Sequence, residues 1–152
     1  MEPSIILGES YSDNRGVLLH NNFFDASEIK RLYTIENKDI AFIRAWQGHR
    51  IEQRWFSVMV GSFEIRLIAI DDWDNPSKEL KPICFIINAK RMDVLHVPPG
   101  YVTSIRALTK KAKLLLMADF RFSELKDEYR FDLEYFIDKS TAEIFTYKER
   151  NC

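Results

Sequence analysis

Short β-rich segments separated by turn residues most constrain the fold of this 152-residue chain. In Phe63–Leu67, for example, Glu64 and Arg66 alternate with apolar residues. Because successive side chains of a strand point to opposite faces, this pattern predicts strands with one buried and one wetted face. Segments this short, punctuated by glycine and proline, favour an all-β sandwich or barrel over a helical bundle.

Two turns divide the predicted β region most clearly. Gly61-Ser62 lies between the apolar runs Trp55–Val60 and Phe63–Leu67, and a leading glycine suits the type II′ turn of a hairpin. Pro98-Pro99-Gly100 is the second turn, because the prolines restrict φ and the glycine permits positive φ. The sequence therefore predicts that Trp55–Val60 and Phe63–Leu67 pair as a hairpin.

The C-terminal part of the chain differs from the β region. Ser123–Tyr129 and Asp132–Phe136 are the first segments with a helical pattern. Length and composition indicate one domain over residues 1–138, followed by a tail over residues 139–152.

Charge and composition exclude several classes of partner. The 22 basic and 23 acidic residues leave a net charge of −1, so we expect no nucleic-acid partner. No apolar run approaches the roughly 20 residues of a membrane span. Residues 1–10 lack the basic and apolar regions of a signal peptide, which predicts a cytoplasmic protein. Cys84 lies in the apolar run Pro82–Asn88, where we expect a buried strand and a free thiol, and no disulfide framework is expected.

The segment Arg44–Glu52 holds the most informative histidine. Gln47 and His49 are two residues apart, so on a strand they share a face, and in a barrel that face can be a cavity. Glu52 lies three residues after His49, so on a continuous strand we expect it to face away. The alternative interpretation makes His49 a structural or surface histidine.

Three arginines, Arg31, Arg44 and Arg106, fall inside predicted strands, where a charge is costly unless it faces solvent or a polar site. Their planar guanidinium groups suit phosphate, because they donate two parallel hydrogen bonds. The alternative is that they form surface ion pairs.

Six motifs in order make the chain recognisable over roughly residues 10 to 137, and together they are more specific than any one of them. They are Asp13-Asn14-Arg15-Gly16, Ile29-Lys30-Arg31-Leu32-Tyr33, Arg44–Glu52, Gly61-Ser62, Val97–Tyr101 and Asp127–Asp132. In this order they resemble the cupin sugar-nucleotide isomerases and epimerases. Within this family the chain resembles the dTDP-4-oxo-6-deoxyglucose 3,4-ketoisomerases of the WxcM-like group more than the dTDP-4-dehydrorhamnose 3,5-epimerases.

This resemblance implies a cupin jelly-roll barrel with a short C-terminal helical segment, assembled as a homodimer. It implies isomerisation or epimerisation of a nucleotide-linked 4-keto-6-deoxy sugar, most often a dTDP-sugar, by proton transfer next to the ketone and without a metal or cofactor. Deoxysugar biosynthesis for cell-surface polysaccharide is the corresponding role. By position in the motifs, the implied substrate contacts are Arg31, Arg44, Gln47 and Tyr101, and Arg106 joins them because an arginine inside a strand suits a phosphate. The expected catalytic residues are Tyr33 and His49, the histidine of the matched segment.

The sequence departs from the family at Gln47 and at Ala45, which stands where the family has the glycine of its Arg-Gly pair. Gln47 occupies the place of the first histidine of His-x-His, the family's proton acceptor, and an amide does not accept a proton at neutral pH. Thr103 occupies the place of the third histidine of metal-binding cupins. His49 and Glu52 alone do not complete a three-ligand site, so no metal is expected. Two hypotheses remain: His49 replaces the missing base, or the domain binds a nucleotide sugar without transforming it.

Overall fold

A computed structural model describes residues 1–136, which form β-strands, turns and loops and contain no helix. The twelve strands are β1 (Ser4–Ile6), β2 (Glu9–Asp13), β3 (Gly16–His20), β4 (Arg31–Ile35), β5 (Ile43–His49), β6 (Arg54–Val60), β7 (Ser62–Ala69), β8 (Ile83–Asn88), β9 (Val94–Val97), β10 (Tyr101–Ala107), β11 (Lys113–Ala118) and β12 (Tyr129–Arg130).

Ten of these strands form two five-stranded antiparallel sheets, ordered β1-β9-β6-β11-β4 and β12-β5-β10-β7-β8. One apolar cluster joins the sheets, with Phe56 and Leu114 from the first sheet and Phe63, Ile65 and Leu67 from the second. The alternation seen in the sequence places these side chains on the inner faces of both sheets. The predicted all-β architecture is therefore confirmed.

The predicted hairpin at Gly61-Ser62 is wrong in its pairing. β6 pairs with β9 and β11, whereas β7 pairs with β8 and β10, so the turn carries the chain from one sheet to the other. Gly61 does adopt the expected positive φ, at 75°. A Cβ there would lie 2.1 Å from the Thr109 hydroxyl oxygen and 2.2 Å from the Lys111 carbonyl oxygen, so this corner admits only glycine. A turn motif specifies a local bend and does not specify which strands pair.

The segment around Cys84 also differs from its prediction. β8 is the edge strand of its sheet, and Ile83 and Ile86 on it are exposed. Cys84 is half-buried and disulfide-bonded, which corrects the prediction of a buried free thiol. An apolar run does not distinguish an edge strand from a central one, because neighbouring strands decide which of its faces is covered.

The predicted helical segments are turns and extended chain. Within residues 123–136, Ser123 has a positive φ of 61° and Tyr129–Arg130 form β12 against β5. The amide of Tyr135 closes only a turn onto the carbonyl oxygen of Asp132. Tertiary pairing with β5 therefore overrides the local helical tendency. The predicted boundary at residue 138 and the tail over 139–152 lie outside the described residues.

β2 and β3 form a separate two-stranded sheet, in which Tyr11, Val17 and Leu18 are more than half exposed. This hairpin pairs with no other strand among residues 1–136. In the same range there is no helix with the length and hydropathy of a membrane span.

Candidate functional site

A cavity of about 260 Å³ opens between the two sheets. Apolar side chains such as Phe56, Val97 and Leu116 form part of its wall. The polar side chains that line it are Tyr33 from β4, Arg44, Gln47 and His49 from β5, Glu52 from the loop after β5, Arg54 from β6, Tyr101 and Thr103 from β10, and Arg130 from β12. An apolar cleft with a few convergent polar groups is typical of a small-molecule site.

Asp127 holds the loop after β5 in place. Its two carboxylate oxygens accept hydrogen bonds from the backbone amides of Arg50, Ile51 and Glu52, at 2.9, 2.7 and 2.7 Å. The chain consequently turns after His49 rather than continuing as a strand. This turn brings Glu52 into the same cavity as His49, although strand alternation predicted that it faces away.

The short strand β12 follows directly and completes the sheet beside β5. Tyr129 pairs with Gly48, and Arg130 pairs with Gln47. A Cβ on Gly48 would lie 2.3 Å from the Tyr101 carbonyl oxygen, so a glycine is required where β5 and β10 approach closely. Segment 127–130 is therefore fixed against the part of β5 that carries Gln47 and His49.

The hydrogen bonds of His49 define its tautomer. Nδ1 lies 2.7 Å from the Asp127 carbonyl oxygen, which can only accept, so Nδ1 carries the proton. Nε2 lies 2.9 Å from Nη2 of Arg54, which can only donate, so Nε2 accepts. Burial, followed by the Arg54 charge, lowers the pKa of His49 to about 4. The imidazole is therefore neutral near pH 7, with both nitrogens engaged.

Arg54 connects three side chains of the cavity. Besides His49, its Nη1 donates to the Tyr33 hydroxyl oxygen, and its Nε lies 2.6 Å from Oε1 of Glu52. Both Arg54 and Glu52 are less than 10% exposed, so this ion pair is shielded from solvent. Because the Tyr33 oxygen accepts from Arg54, its own hydrogen is available to a ligand in the cavity.

Two effects act in opposite directions on the pKa of Glu52. Burial raises its pKa, and the charge of Arg54 opposes that increase. The ion pair with Arg54 compensates for part of the cost of burying both charges.

Gln47 contacts an acidic side chain from segment 127–130. Its amide nitrogen donates to Oε1 of Glu128, and Nη2 of Arg130 lies 2.7 Å from the same oxygen. The Glu128 side chain is 50% exposed, whereas Gln47 and Arg130 line the cavity. The carboxylate therefore lies at the mouth of the cavity.

The structure brings together five of the seven predicted site residues. Tyr33, Arg44, Gln47, His49 and Tyr101 all line the cavity, so Gln47 and His49 share a face as expected. Tyr101 and Thr103 are neighbours there on β10, and burial raises the pKa of Tyr101.

Arg31 and Arg106 are placed elsewhere. The guanidinium of Arg31 lies over the rings of Tyr33 and Phe122, at 4.6 and 4.9 Å, beside the cavity but outside its lining. Arg106 donates to the carbonyl oxygen of Ile40 and is absent from the lining. It lies an odd number of residues from Tyr101, Thr103 and Ile105, so it points to the other face of β10.

Sequence reasoning missed Arg54, Asp127, Glu128 and Arg130. Arg54 had a recognisable signal, because a charge at the start of the apolar strand β6 shares a face with Phe56 and thus with the interior. The other three lie in the Asp127–Asp132 motif, which identified the segment but not their place in the site, because they reach it only through pairing of β12 with β5. Within residues 1–136, no group of three or more histidine, cysteine, aspartate or glutamate side chains is arranged to hold a metal ion.

Two antiparallel sheets around one polar cavity define a cupin-type barrel, and the chain has the fold of the cupin sugar-nucleotide isomerases. It is similar to a 3,4-ketoisomerase from Helicobacter canadensis, with 24% identity over 90% of this chain and 96% of that one (TM-score 0.67). It is also similar to the WlaRB TDP-quinovose 3,4-ketoisomerase from Campylobacter jejuni, with 27% identity over 90% and 98% (TM-score 0.61).

A third similar structure is the QdtA 3,4-ketoisomerase from Thermoanaerobacterium thermosaccharolyticum, a histidine-to-asparagine variant in complex with TDP-4-keto-6-deoxyglucose. Identity is 20% over 97% of this chain and 98% of that one, with a TM-score of 0.67. No family model and no curated protein sequence matches the chain. The resemblance inferred from the six motifs is confirmed at the level of the fold.

Proposed function

We propose that this protein isomerises or epimerises a nucleotide-linked 4-keto-6-deoxy sugar by moving a proton next to the ketone, without a metal or cofactor. The observation that carries this proposal is the contact of Arg54 with Tyr33, His49 and Glu52 at the cavity. In the proposal, the Arg54 guanidinium and the Tyr33 phenol are the two donors to the ketone oxygen.

The reaction needs that oxygen to be stabilised. When a proton leaves the carbon next to a ketone, negative charge develops on the ketone oxygen, and fixed donors in a water-poor site lower the barrier. Tyr33 can donate its hydroxyl hydrogen, since Arg54 already donates to the phenolic oxygen and stabilises the charge left behind. Tyr33 therefore has the role of proton donor in the proposal.

In the proposed reaction, His49 acts through its hydrogen bond with Arg54. Its Nε2 accepts from Arg54 while Nδ1 donates to the Asp127 carbonyl oxygen, so the ring orients the guanidinium. Arg54 would have to be displaced from Nε2 before His49 could accept a substrate proton. This favours a positioning role for His49 over the acid/base role expected from the sequence.

Arg44 and Arg130 supply positive charge to bind the pyrophosphate. Both line the cavity, and Arg44 is exposed with its Nε bonded to Asn37. Similar QdtA 3,4-ketoisomerase structures are complexes with TDP and with TDP-4-keto-6-deoxyglucose. We extend this ligand class, with dTDP-sugars first, to the present chain. Gln47, Tyr101 and Thr103 would contact the sugar, and Arg31 would act from outside the lining.

A second candidate function is binding of a nucleotide sugar without turnover. Gln47 favours it, because the amide at this position of the cavity cannot accept a proton. Both candidates predict nucleotide binding, and only the first predicts exchange of a substrate proton with solvent.

The decisive test combines calorimetry with an exchange assay. We expect dTDP and dTDP-4-keto-6-deoxyglucose to bind, and we expect deuterium from D₂O to enter the sugar next to the ketone. Binding without exchange would select the non-catalytic candidate, and no binding to any nucleotide would exclude both.

The proposal extends to assembly and location. Exposed apolar side chains on the β2–β3 hairpin, Tyr11, Val17 and Leu18, are suited to cover a second copy in a homodimer. Light scattering tests the dimer, with Val17→Lys and Leu18→Lys expected to weaken it. We also propose a cytoplasmic role in deoxysugar biosynthesis for cell-surface polysaccharide, which fractionation and sugar analysis of a disrupted strain would test.

A further inference from the structure

We propose that Glu128 is the base that replaces the missing histidine, and that Gln47 positions its carboxylate. The inference rests on the proposed function, because it assigns the proton acceptor of that reaction.

The histidine and the other carboxylates around the cavity already have hydrogen-bond or ion-pair partners. Both ring nitrogens of His49 have partners. Glu52 is buried and paired with Arg54 at 2.6 Å. Both carboxylate oxygens of Asp127 accept backbone amides. Glu128, which contacts Gln47 at the edge of the cavity, is the neighbouring carboxylate whose side chain is half exposed to solvent.

The geometry of Glu128 leaves one oxygen open. Gln47 and Arg130 both donate to Oε1, and none of these bonds involves Oε2. The side chain is 50% exposed, and in the proposal Oε2 is the oxygen that meets a ligand at the mouth of the cavity. A carboxylate has about four acceptor sites, so two donors on one oxygen leave capacity for a proton.

The backbone fixes this position from both sides. Asp127, one residue earlier, is anchored to the loop after β5, and Arg130, two residues later, pairs with Gln47 in β12. The Glu128 carboxylate is held at the site by its hydrogen bond from Gln47, the residue that stands where the family carries its histidine. The amide thus keeps a hydrogen-bonding role and holds a group that can accept a proton.

The step balances without a further reagent. The C–H bond next to the ketone breaks and its electron pair forms a C=C bond, while the ketone π pair moves onto oxygen. The Glu128 carboxylate becomes a carboxylic acid. For isomerisation, Tyr33 gives its proton to the enolate oxygen, Glu128 returns its proton to the former ketone carbon, and the hydroxyl on the adjacent carbon becomes the new ketone as its proton passes back to Tyr33. For epimerisation, a solvent proton reaches the original carbon from the other face, and Glu128 releases its proton to solvent.

The experiment measures deuterium incorporation into dTDP-4-keto-6-deoxyglucose by the full chain. We expect Glu128→Gln to lower the exchange rate by about 10²–10⁴-fold, the usual contribution of a general base. Dissociation constants for dTDP should stay unchanged, which also shows that the variant folds. Glu134→Gln is the matched control, since Glu134 is an exposed glutamate on the neighbouring turn, and it should exchange at the wild-type rate.

Chemical rescue separates a base from a structural carboxylate. Because the site is open to solvent, formate should restore exchange by Glu128→Ala in proportion to its concentration, and should leave Glu134→Ala unaffected. Wild-type exchange by Glu128→Gln, or a Glu128→Ala that formate does not rescue, would overturn the assignment of Glu128 while leaving the proposed function in place. Absence of exchange by the wild-type protein would overturn both.

Discussion

Nε2 of His49 accepts a hydrogen bond from Nη2 of Arg54 at 2.9 Å, so the imidazole at the centre of the cavity is a neutral partner of a buried cation. Protonation of His49 would place two positive charges in contact. The stability of the fold and the proposed activity therefore both depend on the charge of the His49 imidazole.

The first prediction concerns pH and stability. Burial and then Arg54 lower the pKa of His49 from 6.5 to about 4 in the folded protein. The unfolded state therefore binds more protons between these values, so the stability present above pH 6.5 is lost as pH falls towards 4. We expect the free energy of unfolding to decrease by up to about 3 kcal/mol over this range.

Chemical denaturation at pH 7 and pH 4.5 measures this loss, and His49→Gln should show a smaller decrease than the wild type. An equal decrease in both proteins would assign the pH dependence to other groups.

The second prediction concerns the buried ion pair. Arg54→Met leaves the Glu52 carboxylate buried without its cation, which typically costs about 3–5 kcal/mol of stability. The double variant Arg54→Met/Glu52→Gln should recover part of that loss, because no buried charge is then unpaired. Urea denaturation of the single and double variants gives the coupling free energy, and strictly additive effects would contradict the pairing.

The third prediction concerns the anchor of the β5 loop. Asp127→Ala removes the acceptor of three backbone amides, so we expect it to lower the free energy of unfolding by about 2–4 kcal/mol. Asp132→Ala is the control, because Asp132 is exposed and its side chain has no such role. Thermal denaturation compares the two, and similar melting temperatures would mean that the loop does not depend on the carboxylate.

The fourth prediction concerns the proton donor. Tyr33→Phe keeps the ring and removes only the hydroxyl that Arg54 contacts. We expect deuterium exchange to fall by about 10²–10⁴-fold with little change in the dissociation constant for dTDP. A large loss of nucleotide affinity with normal exchange at saturation would instead make Tyr33 a binding residue.

The fifth prediction uses two arginines on neighbouring strands. Arg44 lines the cavity and Arg106 does not, although the sequence predicted both as substrate contacts. Arg44→Ala should weaken dTDP binding by roughly 10- to 100-fold, as expected for loss of a charge-assisted hydrogen bond. Calorimetry should find Arg106→Ala close to wild type. The reverse order would place the phosphate on the opposite face of β10.

Local patterns predicted much of the fold and part of the site. Alternation identified most strands, and the two-residue spacing correctly placed Gln47 and His49 on one face. The same rule failed at Glu52, because the loop after His49 is turned by a carboxylate 75 residues away. It also could not show that β6 and β7 belong to different sheets, since each pairs with strands distant in the chain.

The sequence by itself determined the β-rich architecture, the order of motifs and the replacement of a histidine by Gln47, because these depend on side-chain type and spacing. Only the tertiary structure decided the surroundings of that amide. Pairing of β12 with β5 brings Glu128 and Arg130 to Gln47 across more than 80 residues. The physical reason is that hydrogen bonds between distant strands, rather than local propensity, determine which charged groups share a cavity.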